Sequence, residues 1–130
     1  MGSRKVLLVD DEPAYLEVMA KRLGLQGFAT AMAPGGRQAL AELAADPGID
    51  VVLLDIKMPG MDGITALGEI RRLHPAVRVI LLTAHATVES AVEGMGLGAF
   101  DYLFKPCDLQ ELTHLIKEAR GEDIQGQAAI

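Results

Sequence analysis

Asp11, Asp55, Thr83 and Lys105 each stand just past a short apolar run. The runs before the first three are Val6-Leu7-Leu8-Val9, Val51-Val52-Leu53-Leu54 and Val79-Ile80-Leu81-Leu82, and Tyr102-Leu103-Phe104 precedes Lys105. In an open parallel sheet the crevice lies beyond the carboxyl ends of the strands, so acid, acid, hydroxyl and cation are expected to converge there. Asp10 adds a third carboxylate. At separations of about 4–5 Å each like-charged pair costs roughly 4 kcal/mol at an effective dielectric of about 20. A small hard dication relieves that repulsion, and Mg²⁺ takes carboxylate oxygens, water and phosphate as ligands. Asp55 then has two chemistries open to it, metal ligation or attack on phosphorus to give an aspartyl phosphate. In the second, Mg²⁺ and the Lys105 ammonium would neutralise charge on the equatorial oxygens. The Thr83 hydroxyl and the Ala84 backbone N–H could donate to the same oxygens.

The elements that must hold these residues follow from the pattern. The apolar runs are short and continuous, as strands buried on both faces require. Strands are expected at Lys5–Val9, Phe28–Met32 (the most peripheral), Val51–Asp55, Val77–Leu82 and Phe100–Phe104. Between them lie helical spacings. Pro13 opens the first helix, Leu16, Met19, Ala20 and Leu23 line its apolar face, and Gly24 or Gly27 closes it. Arg37–Ala45 is the second, and Ile64–Leu73 is the third, stopped before His74-Pro75. Thr87–Leu97 is the fourth, with Thr87 as N-cap and Gly98 as terminating glycine. The fifth opens on Asp108 and buries Leu112, Leu115, Ile116 and Ala119. Five β-α repeats mean a doubly wound α/β fold with a five-stranded parallel sheet, (βα)5, and right-handed crossovers. The flavodoxin-like strand order 2-1-3-4-5 would set strands one and three side by side and bring Asp10 and Asp11 against Asp55.

Composition limits the alternatives. The 130 residues suffice for one domain, read as residues 4–120 with a tail or linker start at 121–130. The net charge of −6 and the absence of a basic cluster beyond Arg71-Arg72 argue against direct nucleic-acid binding by this chain. Cys107 is the only cysteine, so no intrachain disulfide can form and a reducing, cytoplasmic setting is expected. No apolar run is long enough for a membrane span. Gly94-Met95-Gly96-Leu97-Gly98 follows a helix rather than a strand and so lacks the context of a nucleotide-binding loop.

Taken together, the chain resembles the receiver domain of bacterial two-component response regulators over about Lys5 to Arg120. The matching segments are Val9-Asp10-Asp11-Glu12, Asp55 through Gly63, Thr83-Ala84 and Lys105-Pro106. Thr83 through Ala91, Leu97 through Leu103 and Cys107 add likeness to receivers of nitrogen-regulator-type, enhancer-binding activators. The resemblance implies a phosphoprotein that is not an enzyme acting on other substrates. Asp55 would accept a phosphoryl group from the phosphohistidine of a sensor histidine kinase. Asp11 would ligate Mg²⁺ directly, Asp10 mostly through water, and the Lys57 carbonyl would complete the metal site. Lys105 would bind phosphate beside a cis bond to Pro106. Thr83 and Tyr102 would act as the switch, reshaping the face of helix four, strand five and helix five to control dimerisation and an output such as transcription. Three alternatives stand beside it: a phosphatase of the haloacid-dehalogenase type, a flavodoxin-like flavin binder, and a degenerate receiver that acts by binding alone. The first wants an Asp-x-Asp pattern that Asp10-Asp11-Glu12-Pro13 lacks. The second wants a hydroxyl-rich loop where this one is acidic.

Overall fold

The computed structural model describes residues 4–56, 61–84 and 88–122, with the side chains of Thr83 and Val88 outside that description. Five strands alternate with five helices: β1 (Lys5–Val9), α1 (Pro13–Leu25), β2 (Ala29–Ala33), α2 (Gly36–Ala45), β3 (Ile49–Leu54), α3 (Gly63–Leu73), β4 (Arg78–Thr83), α4 (Val88–Gly96), β5 (Asp101–Phe104) and α5 (Leu109–Ala119). The strands form one parallel sheet in the order β2-β1-β3-β4-β5. The expected fold class and strand order are both present.

Alternation along the strands divides the core into two layers. Val6, Leu8, Val51, Leu53, Ile80 and Leu82 face α1 and α5, where Leu16, Leu23, Leu112 and Ile116 meet them. Leu7, Val9, Val52, Leu54, Val79 and Leu81 face the other way, toward Ala39, Leu43, Leu67 and Ile70 of α2 and α3. Strand residues buried on both faces explain the unbroken apolar runs. Leu112, Leu115 and Ile116 of α5 are all buried, and each contributes about 1.5–3 kcal/mol.

Helix ends follow local chemistry. Asp62 caps α3 by accepting from Thr65 N at 2.8 Å, and Asp108 caps α5 by accepting from Gln110 N at 2.9 Å. Helix α1 runs past Gly24 and ends at Leu25, and Gly27 supplies the left-handed residue (φ 92°) that turns the chain. Gly98 does the same after α4 (φ 103°). Strand β2 begins one residue later than its sequence pattern suggests. The Phe28 N–H is spent on the Leu23 carbonyl at 3.0 Å, which makes Phe28 part of the turn out of α1. The expected N-cap at Thr87 lies outside the described residues.

Candidate functional site

Register places the acids. Val9 pairs with Leu54 across β1 and β3. The Asp55 N–H donates to Val9 O at 3.0 Å, and the Asp10 N–H donates to Ala33 O at 3.2 Å. Asp10 and Asp55 are therefore the first residues past adjacent central strands. Carboxylate oxygens of Asp10, Asp11 and Asp55 lie within 4.8 Å of one another, with Asp11 exposed and the other two buried. Three hard oxygen donors at that spacing suit a hard dication.

Lys105 reaches this cluster from the end of β5, beside a cis bond to Pro106. Its Nζ lies 2.5 Å from Asp10 Oδ2 and 4.0 Å from Asp55 Oδ2. The side chains of Lys105 and Asp10 are 14% and 3% exposed, so this pair is largely withdrawn from water. Burial of a charge is tolerated only when it is paired and hydrogen-bonded. Asp10 meets that condition twice over, because its Oδ1 accepts from Glu12 N at 3.0 Å. Both oxygens of Asp10 thus have protein partners, in addition to the metal role the resemblance implies for it.

The acceptor strand's exit is tightly packed. Gly63 N donates to Ile56 O at 2.8 Å. A Cβ at Gly63 would collide with the Asp55 carbonyl oxygen and the Ile56 Cα. Glycine here lets the α3 N-terminus close directly on the backbone of Asp55.

Thr83 ends β4 opposite Phe104, and Ala84 follows it as an exposed residue. The Thr83 side chain, the Lys57 carbonyl and His85 lie outside the described residues. Tyr102 is half-buried against the α2–α3 layer and meets Phe104 edge-on, with ring centroids 5.5 Å apart. Cys107 is a free, half-buried thiol whose pKa burial pushes up.

One residue at the site is absent from the sequence-derived set. The Lys105 Nζ sits 4.0 Å from the centroid of the Tyr15 ring. Tyr15 is in the first turn of α1, and its buried hydroxyl has no hydrogen-bond partner among the described residues. Burial raises its pKa, reinforced by negative charge at Cys107, Asp10 and Asp55. The available signal was an aromatic in the first turn after an acidic pair, which is weak without knowing where Lys105 folds.

The family model for the response regulator receiver domain matches residues 6–117. The chain belongs to that family. Among curated proteins, the receiver is 50% identical over 115 residues to the regulatory protein AtoC of Escherichia coli, covering 88% of this chain and 25% of the relative. It is 40% identical over 114 residues to the DNA-binding transcriptional regulator NtrC of Salmonella typhimurium, covering 88% of this chain and 24% of the relative. The chain thus spans about a quarter of the length of these relatives. Among solved structures, the response regulator TrrA of Thermotoga maritima, in complex with Mg²⁺ and BeF, superposes with a TM-score of 0.80 at 33% identity, covering 89% of this chain and 98% of that one. Membership in the receiver family takes precedence over the phosphatase and flavin-binder alternatives. Among the described residues no helix is long and apolar enough to cross a membrane.

Proposed function

We propose that residues 4–120 are a phosphoacceptor receiver in which Asp55 takes a phosphoryl group from the phosphohistidine of a sensor histidine kinase. The observation that supports this most is the convergence of three carboxylates and one ammonium at the ends of β1, β3 and β5. A carboxylate oxygen of Asp55 forms the O–P bond as the donor's N–P bond breaks, and that bond's electron pair passes to the imidazole. Lys105, already 4.0 Å from Asp55 Oδ2, neutralises charge on the transferred group. Thr83 and the Ala84 N–H donate to its oxygens. Asp11, Asp55 and the Lys57 carbonyl would hold Mg²⁺, with Asp10 acting mostly through water. When bound, Mg²⁺ offsets the mutual repulsion of the acids and of the incoming phosphoryl oxygens.

Thr83 and Tyr102 convert occupancy of Asp55 into a change at α4, β5 and α5. Val92, Met95, Leu97 and Phe104 are exposed there, which suits a face used for dimerisation. The output is control of transcription, the role that the NtrC relative's name states, with no direct nucleic-acid contact by the receiver and a cytoplasmic setting.

Incubation with acetyl phosphate and Mg²⁺, followed by intact-protein mass, tests the reading. One Mg²⁺-dependent phosphoryl adduct is expected on the wild type and none on Asp55→Asn. No adduct under any metal condition would reject phosphoacceptance and favour a receiver that works by binding alone.

A further inference from the structure

Tyr15 contributes no acid, hydroxyl contact or metal ligand to the chemistry above, yet it touches the cation that chemistry needs. An ammonium carries three N–H donors. Asp10 Oδ2 takes one of the three at 2.5 Å. The Tyr15 ring face, 4.0 Å from Nζ, offers a second contact of different character, a cation over an aromatic quadrupole. That leaves one donor for the side on which Asp55 stands.

Asp10 alone would not fix the amine. Lysine is a compact, strongly hydrated charge on a flexible stem of four carbons, and one hydrogen bond leaves it free to pivot. Asp10 also holds Nζ nearer to itself than to Asp55, at 2.5 Å against 4.0 Å. A second contact that is neutral, and therefore does not compete as an anion, steadies the amine without neutralising it. Burial holds the Tyr15 hydroxyl in its protonated form. The ring is therefore an electrostatic partner through its face rather than a phenolate. Because the hydroxyl has no partner among the described residues, the ring and not the oxygen does this work.

We propose that Tyr15 is a positioning residue that sets the Lys105 ammonium between Asp10 and Asp55, ready for the group transferred to Asp55. The second half of that statement rests on the phosphoacceptor reading; the first half does not. Its chemical requirement is an aromatic face, so Phe satisfies it and an aliphatic side chain does not.

The test uses the whole chain with isotope-labelled lysine, as wild type, Tyr15→Phe, Tyr15→Leu and Tyr15→Met. Ring currents should displace the Lys105 side-chain resonances, assigned through Lys105→Arg, in the wild type and in Tyr15→Phe. The displacement should vanish in Tyr15→Leu and Tyr15→Met. The rate of Mg²⁺-dependent adduct formation from acetyl phosphate should fall about fivefold in the two aliphatic variants and return to within about twofold of wild type in Tyr15→Phe. Two aliphatic variants guard against one that fails to fold. Undisplaced Lys105 resonances in the wild type overturn the proposal, and so does an aliphatic variant that keeps wild-type rate. If the wild type forms no adduct at all, the phosphoacceptor reading fails. The resonance comparison then still decides whether Tyr15 positions Lys105.

Discussion

Arg120 grips Asp50 through two N–H groups, Nε to Oδ2 at 2.8 Å and Nη2 to Oδ1 at 2.9 Å. Arg120 is the residue that closes α5, and Asp50 lies within β3. The Arg120 side chain is 7% exposed and its guanidinium lies 5.6 Å from the Phe28 ring centroid. A planar fork that meets a carboxylate this way fastens the end of the last helix to a central strand. Arg120→Ala is expected to cost about 2–3 kcal/mol in urea unfolding, and Arg120→Lys to recover less than half of it. Among the described residues the Arg4 side chain, itself 53% exposed, meets Glu122 at 2.9 Å and Asp50 at 3.9 Å. Arg4→Ala should therefore cost no more than about 0.5 kcal/mol. Equal losses from the two substitutions would contradict this ranking.

Gly63→Ala should be costly out of proportion to one methyl group. The atoms in the way are the carbonyl of Asp55 and the Cα of Ile56, not the tip of a yielding side chain. A loss of about 1–3 kcal/mol is expected from overpacking. Because the displaced backbone is that of Asp55, adduct formation should slow as well. Thermal unfolding and the acetyl phosphate assay read the two effects separately.

Two glycines in α4 should respond differently to alanine. Nothing lies within 4 Å of a Cβ at Gly96, whereas one at Gly94 runs into Leu81 Cδ1. Gly96→Ala is expected to stabilise by about 0.5–1 kcal/mol and to slow hydrogen exchange along α4. Gly94→Ala is expected to give no such gain. Exchange in wild-type α4 already as slow as in α5 would remove the basis for this difference.

Alkaline pH should loosen the fold through Tyr15. Its pKa is raised by burial, so the folded chain keeps a proton that the unfolded chain releases. The associated stability is full below the unfolded value of about 10 and is lost as pH climbs from there toward the folded value. Urea midpoints measured across that range should fall more steeply for wild type than for Tyr15→Phe. The near-ultraviolet tyrosinate signal that Tyr15→Phe removes should appear in the wild type only with unfolding.

Much of this architecture is local in origin and so was legible in the sequence. Apolar runs buried on both faces announce parallel strands, and the residue after each run is placed by the strand itself. That is why Asp10, Asp11, Asp55 and Lys105 could be named as convergent. What resisted reading depends on three-dimensional approach. Lys105 and Asp10 are 95 residues apart, and their separation of 2.5 Å has no signature in spacing. Tyr15 looks like one more apolar position of α1 until Lys105 is folded over it. The Arg120–Asp50 fork joins a helix end to a strand interior 70 residues away. Phe28 reads as strand by propensity, yet its N–H is taken by the turn before it.

The same separation in sequence has a consequence for biosynthesis. A chain emerging from the ribosome presents Asp10, Asp11 and Asp55 long before Lys105 leaves the exit tunnel. Until then β5 cannot join the sheet, and the three acids stand without their cation. No amino-terminal fragment, however native its first strands, can contain the finished constellation. The domain acquires the cation of its reactive centre only when β5, the last of its strands, joins the sheet.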